Sequence, residues 1–596
     1  MFGFRKKMFR KFPVVRHNKD LNEYNKRFTE PFGEVGHDGR NNIILSQDIF
    51  LSMDNQKTRR NTHVCVMGGA GSGKTYNFII PNMLQANSSY VISDPGGYLY
   101  RDYAGYLEYM GYKVKCLNLV QMDKGNHYNP FRYIRSDTDV ERLVKTLIAN
   151  TTPIGPVKGD PFWEKTETAL LTALVACLHE FNIYSNQNFS MIMQLLRAAQ
   201  VSMEDNMHQD DDNACCPLLD ELFENKEIRA LDPESFAFKQ YNDFRVGTGR
   251  HLRTIQEVLR SCIARLQAFD LPDIAKLTKT DDIDLESMGD EKTALFIITP
   301  TGDTTFSFLT AMMYKQLFQV TYNYCETTAP FTQLVLDGNR QVVKAFRADN
   351  EYESMAKAEE ARKWLESAKN ASIVHRKDMG WYELILDNGE TAAFRGSEEE
   401  AQKALDLFRE GCVVANSERS NSGQRLPIHV RMLFDDFTGI GYIPRFEAIV
   451  ATSRKYELSI DITLQSLAQA KSMYGYNWAD IVSNCDTLVY LGGGADLETV
   501  EWLADIALRK EGMLITEASH EIRCKQIRDM ADDTCIVLPR GFTYTGKKYI
   551  TNLHPMWNLA KELKPYIFWE EKSKRLSSGE WGKPEKQEIQ PEENQE

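Results

Sequence analysis

The sequence lacks any long apolar run. Its 596 residues contain no stretch of the roughly 18 to 20 apolar residues that a membrane-spanning helix requires, and the longest candidate, residues 169–178, ends at His179. The N-terminus is basic but is not followed by the apolar region of a signal peptide. We therefore expect a soluble chain, whose basic N-terminus is either a solvated tail or a patch that contacts acidic lipid headgroups or DNA.

Zinc-binding and disulfide patterns are also missing. The eleven cysteines include no C-x-x-C motif, and the 11 histidines include no H-x-x-x-H or H-E-x-x-H motif. The sequence thus argues against a disulfide framework and leaves a zinc hydrolase without support. The 71 basic residues are outnumbered by 84 acidic ones, which gives a net charge of -13. A surface coated with positive charge for nucleic acid is therefore not indicated, and any DNA contact must be local.

Strand and helix patterns alternate from residue 61 onward. The sequence predicts strands at 62–67, 90–93 and 113–117, with helices at 74–87 and 98–110 between them. Such alternation is typical of an α/β fold with a parallel sheet. Further strands are predicted after a long gap, at 293–299, 428–434, 458–464 and 487–491.

Two insertions interrupt this predicted sheet. Residues 131–290 carry helical periodicity throughout. Residues 331–425 contain two similar copies about fifty residues apart, 334–347 and 384–395, each followed by an amphipathic helix, which predicts two hairpins in a small α+β module. Because it precedes the strand at 428–434, the module should leave the sheet at the edge opposite to the one where nucleotides bind. Partner docking, oligomer contact and plain structural decoration all remain open as its role.

A glycine-rich loop stands between the first predicted strand and the first predicted helix. It fits the pattern G-x-x-x-x-G-K-[ST]. The backbone N–H groups of such a loop point at phosphates, and the start of the following helix adds attraction for anions. Lys74 should reach the β and γ phosphates of ATP, and Thr75 should offer its hydroxyl to Mg²⁺. The predicted nucleotide-binding residues are Gly68, Gly69, Ala70, Gly71, Ser72, Gly73, Lys74 and Thr75.

Two adjacent acidic residues follow the predicted strand at 428–434. Phosphoryl transfer needs an acid at the end of an apolar strand for the Mg²⁺ shell and a group that positions water. We predict Asp435 for the metal shell and Asp436 for the water. The Asp436 side chain is one methylene shorter than the Glu usually found there, and a misplacement of about 1 Å can cost roughly a hundredfold in rate. We therefore expect slow hydrolysis without a partner.

The predicted fold class is α/β, a P-loop NTPase domain with two insertions. The segments are a basic N-terminal segment without a membrane helix (1–60), a nucleotide-binding domain in three parts (61–130, 291–330 and 426–560), an all-helical domain (131–290), an α+β insertion with an internal repeat (331–425) and an acidic tail expected to be disordered (561–596).

Further short motifs accompany the P-loop. They lie at 91–95, 128–131, 160–163, 297–300, 435–437, 441, 443–447, 451–454, 464–466, 484–486 and 491–493. In this combination the chain resembles the type IV coupling proteins, the TraG/TraD-like ATPases that feed DNA–protein substrates into conjugative secretion channels. The resemblance covers about residues 61–331 and 426–557.

The resemblance implies a RecA-like motor that works as a homo-hexameric ring around DNA, with ATP and Mg²⁺. It implies that Arg454 is an arginine finger for the neighbouring subunit's site, the alternative being a surface arginine. It also implies that Gln465 senses the γ-phosphate, the alternative being a buried amide that satisfies a turn. The implied activity is delivery of relaxase-bound, single-stranded DNA to a type IV secretion channel at the inner face of the bacterial membrane.

The chain also departs from the family pattern. Relatives commonly carry membrane helices and this chain has none, which implies an anchoring partner or a purely cytoplasmic life. Many relatives read Asp-Pro-Lys-Gly-Glu where this sequence has Asp94-Pro-Gly-Gly-Tyr98. The departure removes a charge pair near the nucleotide. A nucleotide-gated adaptor that recruits secreted proteins or relaxosome components with little hydrolysis is therefore the alternative function, and a duplex-DNA pump of the FtsK kind is a third.

Overall fold

The computed structural model describes most of the chain. The described residues are 24, 32–34, 37–38, 41–152, 160–181, 187–205, 216–225, 234–249, 251–376, 381–395, 397–419, 425–494 and 496–563. Residues 564–596 of the predicted acidic tail and much of the basic N-terminal segment thus lie outside the described residues, whereas residues 561 and 562 end the helix Trp557–Glu562. Within those residues, no helix combines the length and apolar character needed to cross a membrane.

A sheet of nine strands lies at the centre of the described part of the chain. In spatial order its strands are Tyr544–Lys547, Thr534–Pro539, Thr487–Tyr490, Val64–Met67, Leu458–Leu464, Val430–Phe434, Ser89–Pro95, Thr293–Thr299 and Lys113–Asn118. The last seven of these are mutually parallel, and the first two add to one edge antiparallel. The seven parallel strands are those predicted from the sequence, so the α/β fold class is confirmed.

The central strands are apolar because both faces of the sheet are covered. Val64 and Val66 belong to one buried apolar cluster, whereas Cys65 and Met67 belong to another on the opposite face. The helices that accompany the sheet, including two π-helical segments, are Asn55–Thr58, Thr75–Ile79, Ile80–Leu84, Tyr98–Tyr109, Ser307–Asn323, Tyr324–Thr328, Phe446–Ser453, Leu467–Tyr474, Trp478–Ser483, Leu497–Lys510, Glu517–Arg528 and Trp557–Glu562.

The helix after the P-loop differs from the prediction of 74–87. It begins as a π-helical turn, Thr75–Ile79, in which the Ile80 N–H donates to the Thr75 carbonyl, and continues as Ile80–Leu84. Pro81 explains the wide turn, because proline has no N–H and its ring clashes with the carbonyl four residues earlier in a regular α-helix. The α-helical part ends at Leu84, three residues before the predicted end.

The described residues between the strands Lys113–Asn118 and Thr293–Thr299 form helices and no strand. Their apolar side chains join the cluster on one face of the sheet, so the helical segment packs directly on it. The Asp160 side chain accepts a 2.9 Å hydrogen bond from the Phe162 N–H at the start of one helix. The α-helices are Asp137–Thr151, Pro161–Phe181, Phe189–Asp205, Pro217–Glu224, Phe236–Gly247, Leu252–Leu266 and Pro272–Leu277.

Each copy of the internal repeat folds as a hairpin, a helix and a third strand that the sequence did not predict. The first copy is Gln333–Leu336, Val342–Phe346, Glu351–Lys369 and Ser372–Arg376, and the second is Trp381–Ile385, Thr391–Arg395, Glu398–Arg409 and Cys412–Ala415. Each third strand pairs with the first strand of the other copy. The two copies exchange strands and therefore form one interlocked unit.

The insertion is attached at the amino edge of the parallel sheet. The Ala345 N–H donates to the Asp290 carbonyl at 2.8 Å, and Arg347 forms a 3.1 Å ion pair with the Asp290 carboxylate. Where the chain returns, the Ile428 N–H donates to the Gly289 carbonyl at 2.9 Å. The two residues contacted, Gly289 and Asp290, lie just before the strand Thr293–Thr299 begins.

A fully buried ion pair connects the sheet to the P-loop helix. The Arg431 Nε donates to the Asp461 carboxylate at 2.7 Å on the adjacent strand, and the Arg431 Nη1 donates to the Asn82 side chain at 3.0 Å. Asn82 lies in the helix Ile80–Leu84 and also donates to the Ile44 carbonyl at 2.8 Å. Burial raises the pKa of Asp461 to about 6, although the Arg431 charge opposes this effect.

We predict that Arg431→Met lowers the thermal unfolding temperature by several degrees. The change leaves the Asp461 carboxylate buried without its partner, a loss that typically costs about 3–5 kcal/mol. The matched control is Lys145→Met, which removes an exposed helical ion pair with Glu141 and should have almost no effect. Equal unfolding temperatures for the two variants, measured by circular dichroism, would show that the buried pair does not stabilise the sheet.

Candidate functional site

The parallel register brings four loops to one edge of the sheet. Leu464 and Tyr490 both pair with Met67, the last residue before the P-loop, and Phe434 pairs with Ile462 on the adjacent strand. The loops that follow these strands therefore emerge side by side. They contain the P-loop, the predicted acids at 435 and 436, the predicted glutamine at 465 and the glycines at 492–494.

The lysine of the P-loop forms hydrogen bonds with the backbone of the same loop. Gly71 and Gly73 have φ values of 74° and 86°, in the left-handed region that glycine tolerates. The Lys74 ammonium donates to the carbonyls of Gly68 at 2.7 Å and Gly69 at 3.0 Å. Burial lowers the pKa of Lys74, and the neighbouring acids at 435 and 436 act against that shift. The lysine thus lies inside the loop where anionic phosphates would be bound.

Thr75 and Asp435 are joined by a short hydrogen bond. The Thr75 Oγ1 donates to one carboxylate oxygen of Asp435 at 2.6 Å, and the Thr463 Oγ1 donates to the other at 3.3 Å. The Ser93 hydroxyl holds the Asp435 carbonyl at 2.7 Å. Burial raises the pKa of Asp435, while the two hydroxyls lower it. A hydroxyl and a carboxylate at this separation provide the oxygen ligands that Mg²⁺ prefers.

Asp436 is exposed and has a left-handed backbone, with φ of 54°. Its N–H donates to the Thr463 hydroxyl at 3.0 Å, which fixes the backbone beside Asp435. Its carboxylate accepts a 3.1 Å hydrogen bond from the Thr438 hydroxyl. The Asp436 side chain therefore lies at the edge of the site, but its carboxylate is hydrogen-bonded within its own turn.

Tyr98 lies at the site, although its position was interpreted from the sequence only as the loss of a charge pair. The Asp94 carboxylate accepts hydrogen bonds from the N–H groups of Leu99 at 3.1 Å and Tyr100 at 2.8 Å, so it caps the helix Tyr98–Tyr109. Burial raises the pKa of Asp94 to about 7. The Tyr98 hydroxyl faces Thr75 and Asp435, and burial followed by the Asp435 charge raises its pKa. A phenol thus lies near the predicted metal ligands Thr75 and Asp435.

The glycines at 492–494 contact the P-loop through backbone atoms. The Gly69 N–H donates to the Gly492 carbonyl at 3.0 Å, and a Cβ on Gly69 would lie 1.7 Å from the Gly493 carbonyl oxygen. A Cβ on Gly493 would lie 2.8 Å from the Ser72 Cβ. Both glycines are therefore required by the contact. The sequence signal was the glycine run itself, for which no role was predicted.

Residues 548–557, near the end of the described chain, contact the P-loop and the helix that follows it. The Lys548 ammonium donates to the Ser72 carbonyl at 2.9 Å, and the Thr551 hydroxyl donates to the Tyr76 carbonyl. The Trp557 ring packs edge-on against the Tyr76 ring, with centroids 6.3 Å apart. Burial lowers the pKa of Lys548. The sequence offered no signal for these contacts, because they join residues more than 470 positions apart.

Gln465 and Arg454 lie at opposite ends of the same strand. Gln465 follows the strand Leu458–Leu464 at the P-loop edge and is exposed, so the alternative of a buried amide does not hold. Arg454 opens the short 3₁₀ turn Arg454–Tyr456 before the strand begins. A seven-residue strand spans roughly 20 Å. The structure thus brings together Lys74, Thr75, Asp435, Asp436 and Gln465, and it places Arg454 away from its own P-loop.

We predict that Gly69→Ala destabilises the site, because the added methyl group would overlap the Gly493 carbonyl and force the two loops apart. The unfolding temperature should fall, and hydrogen exchange at residues 492–494 should accelerate. Ala70→Ser is the matched control, since Ala70 is the next residue and is exposed. Unchanged exchange at 492–494 in Gly69→Ala would contradict the backbone contact.

Comparisons with known proteins agree with the predicted family. Residues 24–337 match a family model described as type IV secretory system conjugative DNA transfer, and residues 429–521 match one described as the TraM recognition site of TraD and TraG. No curated protein matches the chain in sequence.

Several solved structures match the chain at low sequence identity. Unbound TrwB, a bacterial conjugative coupling protein, has 14% identity and a TM-score of 0.45, with 89% of this chain and 93% of that chain covered. The plasmid coupling protein TrwB with ADP and Mg²⁺ has 14% identity and a TM-score of 0.45, with 90% and 93% covered. VirB4 of Thermoanaerobacter pseudethanolicus has 12% identity and a TM-score of 0.39, with 85% and 95% covered.

The first family model alone matches more than half of the 596 residues. The resemblance inferred from the sequence motifs is confirmed. The chain belongs to the type IV secretory system conjugative DNA transfer family.

Proposed function

We propose that this protein is an ATP-dependent coupling protein of conjugative transfer. It recruits relaxase-bound, single-stranded DNA and moves it to a type IV secretion channel. The observation that supports this most directly is the 2.6 Å hydrogen bond between Thr75 and Asp435, which joins the end of the P-loop to the acid after an apolar strand. That pairing is expected of a P-loop ATPase, and the family match gives it a conjugative context.

The residues at the P-loop edge have distinct proposed roles. Lys74 leaves the loop carbonyls and binds the β and γ phosphates of ATP, while Thr75 and Asp435 hold Mg²⁺, which neutralises phosphate charge when bound. Asp436 orients the water that attacks the γ-phosphorus, and Gln465 contacts the γ-phosphate. The bond from the γ-phosphorus to the β-phosphate oxygen breaks, which yields ADP and inorganic phosphate.

Arg454 is proposed to act in a neighbouring subunit. It lies at the opposite end of the sheet from its own P-loop. Among the described residues, its guanidinium has no hydrogen bond or ion pair. A homo-hexameric ring would bring it to the next subunit's γ-phosphate, where arginine fingers are worth about 10³ to 10⁵ in rate.

We also propose the segment boundaries predicted from the sequence, with a nucleotide-binding domain at 61–130, 291–330 and 426–560. The match of residues 429–521 to a TraM recognition model supports recruitment of relaxosome proteins through this part. Channel components and a separate membrane anchor are the remaining proposed partners, at the inner face of the bacterial cell membrane.

The first test is ATP hydrolysis with and without single-stranded DNA across a salt series. We expect DNA to stimulate hydrolysis, and the stimulation to weaken as salt rises, because phosphate contacts release counterions. Lys74→Ala should retain no ATP and hydrolyse none. Duplex DNA of the same length serves as a comparison. A rate that does not respond to single-stranded DNA at any salt concentration would count against DNA as the substrate.

A second candidate function is a nucleotide-gated adaptor that recruits proteins with little hydrolysis. The hydrogen bond between Asp436 and Thr438 favours it, since an engaged carboxylate is poorly placed to orient water. The same assay separates the two functions. Tight ATP binding with negligible hydrolysis, unchanged in Asp436→Glu, indicates the adaptor, whereas faster hydrolysis in Asp436→Glu indicates the motor.

The second test mixes two inactive variants. Lys74→Ala has an intact Arg454, and Arg454→Ala has an intact P-loop, so mixed rings contain interfaces with both functional parts. We expect each variant alone to be inactive and the mixture to regain part of the hydrolysis rate. Arg362→Ala, at an exposed position in the insertion, should remain active alone. A mixture as inactive as its components would exclude action of Arg454 across subunits.

A further inference from the structure

His63 lies directly before the P-loop strand and its ring is fully buried. The Ile460 N–H donates to the Nδ1 of His63 at 3.0 Å, so Nδ1 is the acceptor and Nε2 carries the proton. Nε2 lies 3.1 Å from the Ser453 hydroxyl oxygen and donates to it. Burial lowers the pKa of His63 to about 3, so the ring is neutral and this tautomer persists at physiological pH. The imidazole is thus a fixed bridge with one accepting and one donating nitrogen.

The donating nitrogen holds the residue next to the proposed arginine finger. Ser453 ends the helix Phe446–Ser453, and Arg454 follows it at the start of the turn Arg454–Tyr456. The Arg454 charge is close enough to contribute to the low pKa of His63. The contact therefore joins the strand that leads into the P-loop to the start of the Arg454 turn.

The other end of the turn is anchored separately. The Tyr456 hydroxyl donates to the Glu326 carboxylate at 2.5 Å. Glu457 pairs with Arg425, where the chain leaves the insertion, and lies 3.1 Å from the His429 ring. The turn thus has side-chain contacts at both ends, through Tyr456 and Glu457 at the far end and through Ser453 at the near end.

We propose that His63 is a positioning residue for ATP hydrolysis, which directs Arg454 toward the neighbouring subunit by binding Ser453. His63 thus connects the P-loop strand of a subunit to Arg454 of the same subunit, which acts at the site of the neighbouring subunit. The strand Val64–Met67 pairs on both sides within the sheet and is a rigid connection between His63 and the P-loop. This inference rests on the proposed function of Arg454.

Two substitutions test the contacts of the two ring nitrogen atoms of His63 separately. His63→Asn places an amide oxygen near the Nδ1 position, so it keeps the Ile460 contact and loses the Ser453 contact. His63→Gln places its amide nitrogen near the Nε2 position and keeps a donor for Ser453. We expect hydrolysis to fall at least tenfold in His63→Asn with ATP binding unchanged, and to stay within about threefold of the parent chain in His63→Gln.

Subunit mixing distinguishes this role from a general loss of structure. His63→Asn should regain activity with Lys74→Ala, which supplies a correctly directed Arg454, and should gain none with Arg454→Ala. Ser453→Ala removes this acceptor, together with the 3.3 Å hydrogen bond that the Ser453 hydroxyl donates to the Val450 carbonyl, and should reproduce the same loss and the same pattern of rescue. It also keeps the test intact if His63→Asn does not fold.

Three results separate the possible failures. Normal hydrolysis in both His63→Asn and Ser453→Ala would overturn the role of His63 while the rescue of Arg454→Ala by Lys74→Ala still stands. Loss of ATP binding in these variants would show that the contact supports the P-loop rather than the finger, which also overturns it. Failure of the Arg454→Ala and Lys74→Ala mixture would instead remove the proposed finger itself, and the inference with it.

Discussion

The register of the parallel strands is the constraint on which the site depends. The strand Leu458–Leu464 pairs with Val64–Met67 on one side and Val430–Phe434 on the other, so all three end at the same edge. Without that alignment, Thr75 and Asp435, which are 360 residues apart in sequence, would not meet. The buried pair of Arg431 and Asp461 lies between two of these strands and adds the P-loop helix to the same unit.

Contacts between distant backbone segments complete the site. Gly69 and Gly493 meet without side chains, so the two loops approach more closely than any other residue pair would allow. Lys548 supports the same loop from the outside. The conformation of the P-loop therefore depends on its own residues, on the loop that contains Gly493 and on Lys548. A substitution in any of these three segments should alter the proposed phosphate site.

Much of the fold can be predicted from the local sequence, and the rest depends on contacts between residues that are far apart in the sequence. The strands Thr293–Thr299 and Leu458–Leu464 have the predicted bounds because every residue in them is buried and a local pattern marks each strand. The pattern is a largely apolar run in the first and an alternation of apolar and polar residues in the second. The exchanged strand Cys412–Ala415 was missed because its partner lies some eighty residues earlier. His63 contacts Ile460 and Ser453, which only the folded chain brings near, so no local pattern indicates these contacts. The position of Tyr98 was noted from the sequence only as the loss of a charge pair, because its approach to Thr75 and Asp435 depends on the fold.

The two ends of the sheet carry complementary parts of the proposed site, phosphate-binding groups at one and Arg454 at the other. With Arg454 in its proposed role, a complete site requires two copies of the chain. The most direct test is the native mass with and without Mg²⁺ and a non-hydrolysable ATP analogue. A ring of six 68.4 kDa chains in the presence of the analogue is expected. A single chain of 68.4 kDa under every condition would contradict the shared site.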